Sequence, residues 1–300
     1  MMVAMSATDA ARRAVPVPRP DGARIAAEVA GVQSDPVVLL VAGADSSMDW
    51  WRPEFCDRIV RAGFRVVRYD QRGTGEATLG PPGARRDGLL VAIDDAIAVL
   101  DAVAADDAHW VGFSAGGWIA QLAALEHPDR VHALTLISTS PTLFEADADL
   151  PAAKPGMQEF WAHPLPEPDW SDAEDVIRHL VDIDRHYAGD HFDEANDRAM
   201  WTDTVRRSPG MHRDEPGADH VEQAPRWRER LGEIRVPTTV LHGTADPVFP
   251  LGNGRALAAD IPGARFVALP GGGHDLPPTV WDAVVEAVIR GGAASPDSEP

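Results

Sequence analysis

Val111-Gly112-Phe113-Ser114-Ala115-Gly116-Gly117 is the stretch that decides the fold of this chain. It reads as a nucleophile elbow, a sharp strand-to-helix turn that exposes a serine hydroxyl. The turn holds Ser114 in a strained backbone conformation. Side chains at Gly112 and Gly116 would collide with the neighbouring strand and helix. A lone G-x-S-x-G arises by chance in roughly one chain in ten of this length, so the flanks must decide. Residues 108–112 (Ala-His-Trp-Val-Gly) read as a short buried strand. Residues 118–126 (Trp-Ile-Ala-Gln-Leu-Ala-Ala-Leu-Glu) read as a helix of good formers. Strand, elbow and helix follow in order.

Working outward, a continuous alternation appears. Two short strands, 14–18 and 24–29, flank the Pro20-Asp21-Gly22 turn and predict an antiparallel hairpin at a sheet edge. Further strands are expected at 37–41, 65–69, 109–112, 133–137, 238–241 and 265–269. Helices are expected near 53–62, 88–104, 115–126, 252–260 and 280–289. Unbroken Val/Leu/Ile runs mean strands covered on both faces, hence a mostly parallel eight-stranded sheet with helices on each side. Residues 141 to about 230 break this rhythm. They carry no strand pattern, many prolines and acids, and the aromatics Phe144, Phe160, Trp161, Trp170, Tyr187, Phe192, Trp201 and Trp227. A structureless loop of that length is improbable in a compact domain, so a helical cap is expected at 141–230. The core then comprises 14–140 and 231–290, with loose tails at 1–13 and 291–300.

Composition narrows the partners. Three hundred residues make one large domain, or a core plus an insertion, with no need of a staple. The single cysteine, Cys56, excludes an intramolecular disulfide and is expected in the core. A net charge of −20 argues against nucleic acid or an anionic membrane surface as partner. Lys154 is the only lysine, so arginine carries nearly all the positive charge. No apolar run approaches the ~20 residues that span a bilayer. The first residues lack a basic head followed by an apolar stretch, so no signal peptide is expected. A cytoplasmic monomer or homodimer acting on a small molecule is the default expectation.

Ser114 needs a base and the base needs an orienting acid. His274 follows the last predicted strand in Pro270-Gly271-Gly272-Gly273-His274-Asp275. Such a loop lets the backbone swing an imidazole over the carboxyl edge of the sheet. His242 ends a strand and is the leading competitor; His109, His186 and His191 are expected to be bystanders. The histidine spacing matches no zinc signature, and neither metal nor cofactor is expected. Asp246 follows the penultimate strand in Leu241-His242-Gly243-Thr244-Ala245-Asp246-Pro247. The order Ser114, Asp246, His274 suits the elbow. The strand before the cap ends in Ser138-Thr139-Ser140, without a carboxylate. Asp70, ending another strand, is expected to anchor its own loop, paired with Arg72. An oxyanion hole requires two backbone N–H groups. One is expected from Ala115, at a helix N-terminus. The other is expected from Ala44, after the turn made by Gly43.

Together these residues resemble the α/β-hydrolase superfamily over essentially the whole chain. Within it they resemble the aclacinomycin methylesterase group of actinobacterial esterases. The shared features are the Gly43–Ser47–Trp51 spacing, Arg68-Tyr69-Asp70 with Arg72, Thr74 and Gly75, Ala98-Val99-Leu100-Asp101, and Pro270-Gly271 before the histidine. The resemblance implies Ser114, Asp246 and His274 as a catalytic triad. The chain departs from that group at Ala44, where a second glycine is expected, at Ala115, where methionine is expected, and throughout the cap. A carboxylic ester, with a bulky aromatic or polyketide methyl ester foremost, is the expected substrate. Trp118, Trp161 and Trp201 are the expected substrate contacts, although the cap aromatics could equally form the cap's own core. Cofactor-free perhydrolase or haloperoxidase chemistry and C–C bond hydrolysis are the alternatives within enzymes. A non-enzymatic ligand receptor is the alternative outside them.

Overall fold

The structure is a computed structural model and describes residues 12–78, 88–143, 147–208 and 226–292. Residues 1–11 and 293–300 of the expected tails, and Phe144, lie outside the described residues.

The strands are β1 (Arg13–Pro18), β2 (Arg24–Ala30), β3 (Val37–Val41), β4 (Arg65–Asp70), β5 (Ala108–Phe113), β6 (Val131–Ile137), β7 (Thr238–Gly243) and β8 (Arg265–Leu269). They form one eight-stranded sheet in the order β1-β2-β4-β3-β5-β6-β7-β8. β1 and β2 make the expected edge hairpin, and β2 also runs antiparallel to β4. Every other neighbouring pair is parallel. The eight strands fall where the apolar runs predict them, within one or two residues at the ends.

The period-two geometry of a strand explains the two-sided core. In β3, Leu39 and Val41 join one apolar cluster, with Trp110, Ile93, Trp118, Leu122 and Trp227. Val38 and Leu40 face the other, with Trp51, Phe55, Val111, Phe113 and Trp281. Helices α2 (Leu89–Ala102) and α3 (Ala115–Glu126) cover the first face. Helices α1 (Pro53–Arg61) and α8 (Trp281–Gly292) cover the second. Cys56 is fully buried there, and burial pushes its thiol up to about 11.

Between β6 and β7 the chain forms α4 (Pro155–Ala162), α5 (Ala173–Tyr187) and α6 (Glu194–Arg207). α5 and α6 are capped by Asp172 and Asp193, whose carboxylates accept the first free N–H groups. They enclose a small core of Val176, Ile177, Leu180, Val181, Met200 and Trp201. Trp227 belongs elsewhere. It is buried in the main core and donates to Gln121 Oε1 at 3.0 Å, so the last part of the 141–230 segment packs as core. Helix α7 (Gly252–Asp260) then precedes β8. No helix among the described residues is long and apolar enough to cross a membrane.

Three side chains of α6 seat it on the loop after β3 and on the end of β4. Ser47 Oγ lies 3.2 Å from Thr204 Oγ1. Arg52 donates to Asp203 at 2.9 Å. Arg207 donates to Asp49 and, at 2.6 Å, to the buried Asp70. Asp70 also accepts the N–H groups of Met48 and Glu76. It anchors its loop as expected, but its cation is Arg207 of the cap, not Arg72. Arg72 instead binds Asp95 and Asp21. Burial pushes the Asp70 carboxyl up, against these hydrogen bonds and the Arg207 charge.

Candidate active site

β5 ends at Phe113 and α3 begins at Ala115, so Ser114 must make the whole turn. Its φ of 52° and ψ of −120° lie where side-chain-bearing residues rarely sit. The surroundings enforce this. A Cβ on Gly112 would come 2.6 Å from the Gly116 carbonyl carbon, and one on Gly116 would come 2.5 Å from Ala42 O. Ser114 N–H donates to Ile137 O at 3.0 Å, and Thr139 Oγ1 donates to Ser114 O at 2.8 Å.

The three residues expected to act together do meet. His274 Nε2 is 2.9 Å from Ser114 Oγ, and His274 Nδ1 is 3.0 Å from Asp246 Oδ2. Asp246 is fully buried, and its Oδ1 accepts the N–H groups of Val248 and Phe249, each at 2.9 Å. Burial opposes its charge, but His274, His242 and the backbone donor outweigh it and hold the carboxyl below its ordinary range. The His274 loop turns at Gly271, whose φ is 69°. The cap clamps this loop: His274 N–H donates to Tyr187 O, and Asp190 N–H to Gly271 O, both at 2.8 Å. The imidazole lies among Phe113, Phe249 and Tyr187, with ring centroids 5.0, 5.5 and 6.2 Å away.

Ala115 is buried directly after the serine, at the start of α3. Gly43 and Ala44 line the cavity in front of Ser114. Gln71 Nε2 donates to the carbonyls of Ala42 and Gly43, at 2.9 and 3.0 Å. In a trans peptide the N–H points opposite the C=O. Gln71 therefore draws the Gly43 carbonyl to one side and turns the Ala44 N–H to the other. Sequence reasoning missed Gln71. Its place beside Asp70, at the carboxyl edge of the sheet, was the only available signal.

The cavity has a volume of about 620 Å³ and opens between core and cap. Ser114 and His274 lie in its wall with Trp50, Phe113, Trp161, Tyr187, Phe192 and Trp201. Trp161 stands 40 % exposed and donates to Tyr187 Oη at 2.9 Å. Trp201 serves two purposes, lining the cavity and filling the cap core, and its indole donates to Asp184 at 2.7 Å. Trp118 is absent from the lining. It is buried under α3, against Phe249, with its indole on Ser140 Oγ. The helix turns position 118 into the core, which corrects the expectation that it touches substrate.

Asp184, Asp193, Asp197 and Asp275 give the wall an acidic side. Burial and neighbouring Asp184 push Asp197 up to about 9, and burial pushes Asp275 up to about 6. Among the described residues, no group of three His, Cys, Asp or Glu side chains could hold a metal ion. The three histidines expected as bystanders make their contacts elsewhere. His109 binds Thr135 Oγ1 and is pushed down to about 3 by burial. His186 stacks on Phe160, and His191 Nε2 is 3.1 Å from Pro270 O.

A doubly covered, mostly parallel sheet with a strained serine at its carboxyl edge defines a class, and comparison with known proteins agrees. The family model described as alpha/beta hydrolase fold matches residues 35–278, and the chain belongs to that family. It is an enzyme of the hydrolase class. It is 32 % identical over 271 residues to a rhodomycin D methylesterase of Streptomyces sp. (strain C5), covering 86 % of this chain and 91 % of that protein. A rhodomycin D methylesterase of Streptomyces peucetius is 31 % identical over 272 residues, with the same two coverages of 86 % and 91 %. Among solved structures, an esterase from Rhodococcus sp. ECU1013 superposes with a TM-score of 0.70 at 21 % identity, over 94 % of this chain and 98 % of that one. That likeness concerns the fold.

Proposed function

We propose that the protein hydrolyses a carboxylic ester, a methyl ester on a bulky ring-bearing acid, through Ser114, His274 and Asp246. The observation that carries this reading is the hydrogen-bonded series Asp246–His274–Ser114 opening onto a cavity walled by aromatic rings. His274 Nε2 accepts the Ser114 proton as Oγ attacks the ester carbonyl. The carbonyl oxygen gains negative charge and is met by the N–H groups of Ala115 and Ala44. As the tetrahedral species collapses, His274 returns the proton to the departing alkoxide, and methanol leaves. Water, deprotonated by the same imidazole, attacks the acyl-serine, and His274 passes that proton to Ser114 Oγ as the acid leaves. Asp246, acceptor-only and buried, keeps the Nδ1 proton in place and stabilises the imidazolium in each half.

The cavity suits a polycyclic acid better than a small one. Its volume lies in the range that encloses a drug-sized ligand, and its rings offer faces for stacking. Trp161 and Trp201 are the proposed contacts. The acidic side favours release, because the product is a carboxylate formed beside Asp275 and near Asp184 and Asp193. The methylesterase names of the relatives point to the same bond. The test is incubation with methyl esters of tetracyclic aromatic acids and with p-nitrophenyl acetate, following acid and methanol by mass spectrometry and gas chromatography. Methanol equimolar with acid, absent in Ser114→Ala, is expected. Turnover of the aryl acetate with none of the polycyclic methyl esters would overturn the substrate assignment. Turnover of neither would overturn the activity.

A further inference from the structure

Beside the Asp246–His274 pair stands a second histidine with no part in the proton path above. His242, near the end of β7, is fully buried. Its Nε2 lies 2.6 Å from the Phe249 carbonyl oxygen. A carbonyl can only accept, so the proton is on Nε2 and Nδ1 is a bare acceptor. Nδ1 is buried, with no hydrogen-bond partner among the described residues. Gly254 of α7 makes room for this edge of the ring, because a Cβ there would stand 2.5 Å from Nδ1. An apolar side chain would fill the site without leaving a buried nitrogen unpaired.

What the imidazole offers instead is its N–H. Nε2 is 3.5 Å from Asp246 Oδ2, the same oxygen that His274 Nδ1 holds at 3.0 Å. The Phe249 whose carbonyl His242 binds also gives its N–H to Asp246 Oδ1. One ring therefore holds the turn that carries Asp246 through its single N–H, and the same polar edge of the ring lies 3.5 Å from the carboxylate. Among the described residues, His274 and Asp275 on the loop after β8 also act on this pair, and Asp197 of α6 interacts with Asp275 in turn. Burial, the largest influence on His242, lowers its pKa and keeps the ring neutral, against the pull of Asp246.

We propose that His242 is a positioning residue for the reaction: as a neutral Nε2–H imidazole it fixes the Asp246 carboxylate from a second direction while leaving its full charge to His274. The inference rests on the Ser114–His274–Asp246 reading above. A cationic ring at this place would compensate Asp246 and weaken its hold on the imidazolium of His274. An apolar ring would withdraw the N–H, leave the carboxylate less compensated, and make that hold stronger but less directed.

His242→Phe and His242→Gln are compared with wild type on p-nitrophenyl acetate between pH 5 and 9, with melting temperature recorded for each. His242→Phe should lose roughly tenfold in kcat. Its acidic limb of kcat/KM should move to higher pH by about half a unit. His242→Gln, which restores an N–H donor, should recover most of both. An acidic limb of His242→Phe that overlies wild type, whatever the melting temperature, would overturn the proposal and leave His242 as packing. If His242→Phe does not fold, the wild-type protein decides the matter by ¹⁵N NMR of labelled histidine. His242 should appear as the neutral Nε2–H tautomer throughout pH 5 to 8. Protonation in that range, or the Nδ1–H tautomer, would overturn it. Full ester turnover by Ser114→Ala would sink the triad reading and leave the NMR result standing.

Discussion

Gly116→Ala is the smallest change that reaches the centre of the site. The new methyl group would stand 2.5 Å from Ala42 O, 2.8 Å from the Val41 carbonyl carbon, and closer still to Val41 O. Real Cβ atoms essentially never approach other heavy atoms within 3.0 Å. The obstacles are backbone, fixed in the parallel ladder between β3 and β5, so no side chain can turn aside. α3 and the end of β3 must separate by about 1 Å, and a close-packed interior absorbs such a shift poorly. Overpacking of this kind costs about 1–3 kcal/mol, or roughly 2–5 °C in melting temperature for a chain of this size. The effect on rate should be larger. The separation pulls Ala115, leading α3, away from Ala44, just beyond β3, and a displacement of about 1 Å in catalytic geometry costs on the order of 10²-fold. kcat on p-nitrophenyl acetate should therefore fall about a hundredfold with little change in KM. Gly156→Ala is the control, because nothing lies within 4 Å of a Cβ there and the residue sits in α4. It should leave kcat unchanged and raise stability by about 0.5–1 kcal/mol. A Gly116→Ala enzyme with activity within threefold of wild type and an unaltered melting temperature would refute the claim that strand, elbow and helix are locked in contact.

Three further outcomes follow from the geometry. Asp197 holds its proton up to about pH 9 in the folded protein, whereas an unfolded carboxylate releases it near ~4. Stability should therefore fall as pH rises between those values, and Asp197→Asn should raise the melting temperature more at pH 8 than at pH 5; the reverse order by calorimetry would contradict this. Asp70→Asn strips one of two buried carboxylate partners from Arg207 and should cost about 2–4 kcal/mol in urea unfolding while kcat per folded molecule changes only a few-fold, whereas Asp246→Asn should cost on the order of 10⁴ in kcat; interchanged effects would reverse the two assignments. Trp161→Ala removes a half-exposed ring from the cavity wall, and about 1–2 kcal/mol of contact should lower kcat/KM for a polycyclic ester roughly 5- to 30-fold and for p-nitrophenyl acetate much less; Trp201→Ala, which also empties the cap core, should lower the melting temperature and impair both esters.

The sheet and the serine were legible because their causes are local. Val37–Val41 is apolar at every position, which only a strand covered on both faces tolerates. The glycines at 112 and 116 mark the close approach of backbones, and Gly271 marks the turn that brings His274 back over the sheet. The partner of Asp70 was not legible. Arg72 is two residues away, but Arg207 reaches Asp70 across 137 residues of sequence, and only the fold of the cap decides between them. Trp118 misled for a related reason. Its position four residues after the serine brings it near the site in sequence, but helical rotation turns it inward to Phe249 and Ser140. The cap aromatics proved divided. Trp161, Tyr187 and Phe192 line the cavity, Trp227 belongs to the main core, and Trp201 serves both wall and cap. Composition could supply the rings but not their directions.

The most direct test of Ser114 as nucleophile is mass spectrometry of the protein after brief treatment with a fluorophosphonate. One phosphonyl group should be added per chain, on the peptide that contains Ser114. Labelling should vanish in Ser114→Ala and slow by orders of magnitude in His274→Ala, with both variants melting near wild type. A label on another residue, or Ser114→Ala protein that still hydrolyses p-nitrophenyl acetate at a tenth of the wild-type rate, would contradict it.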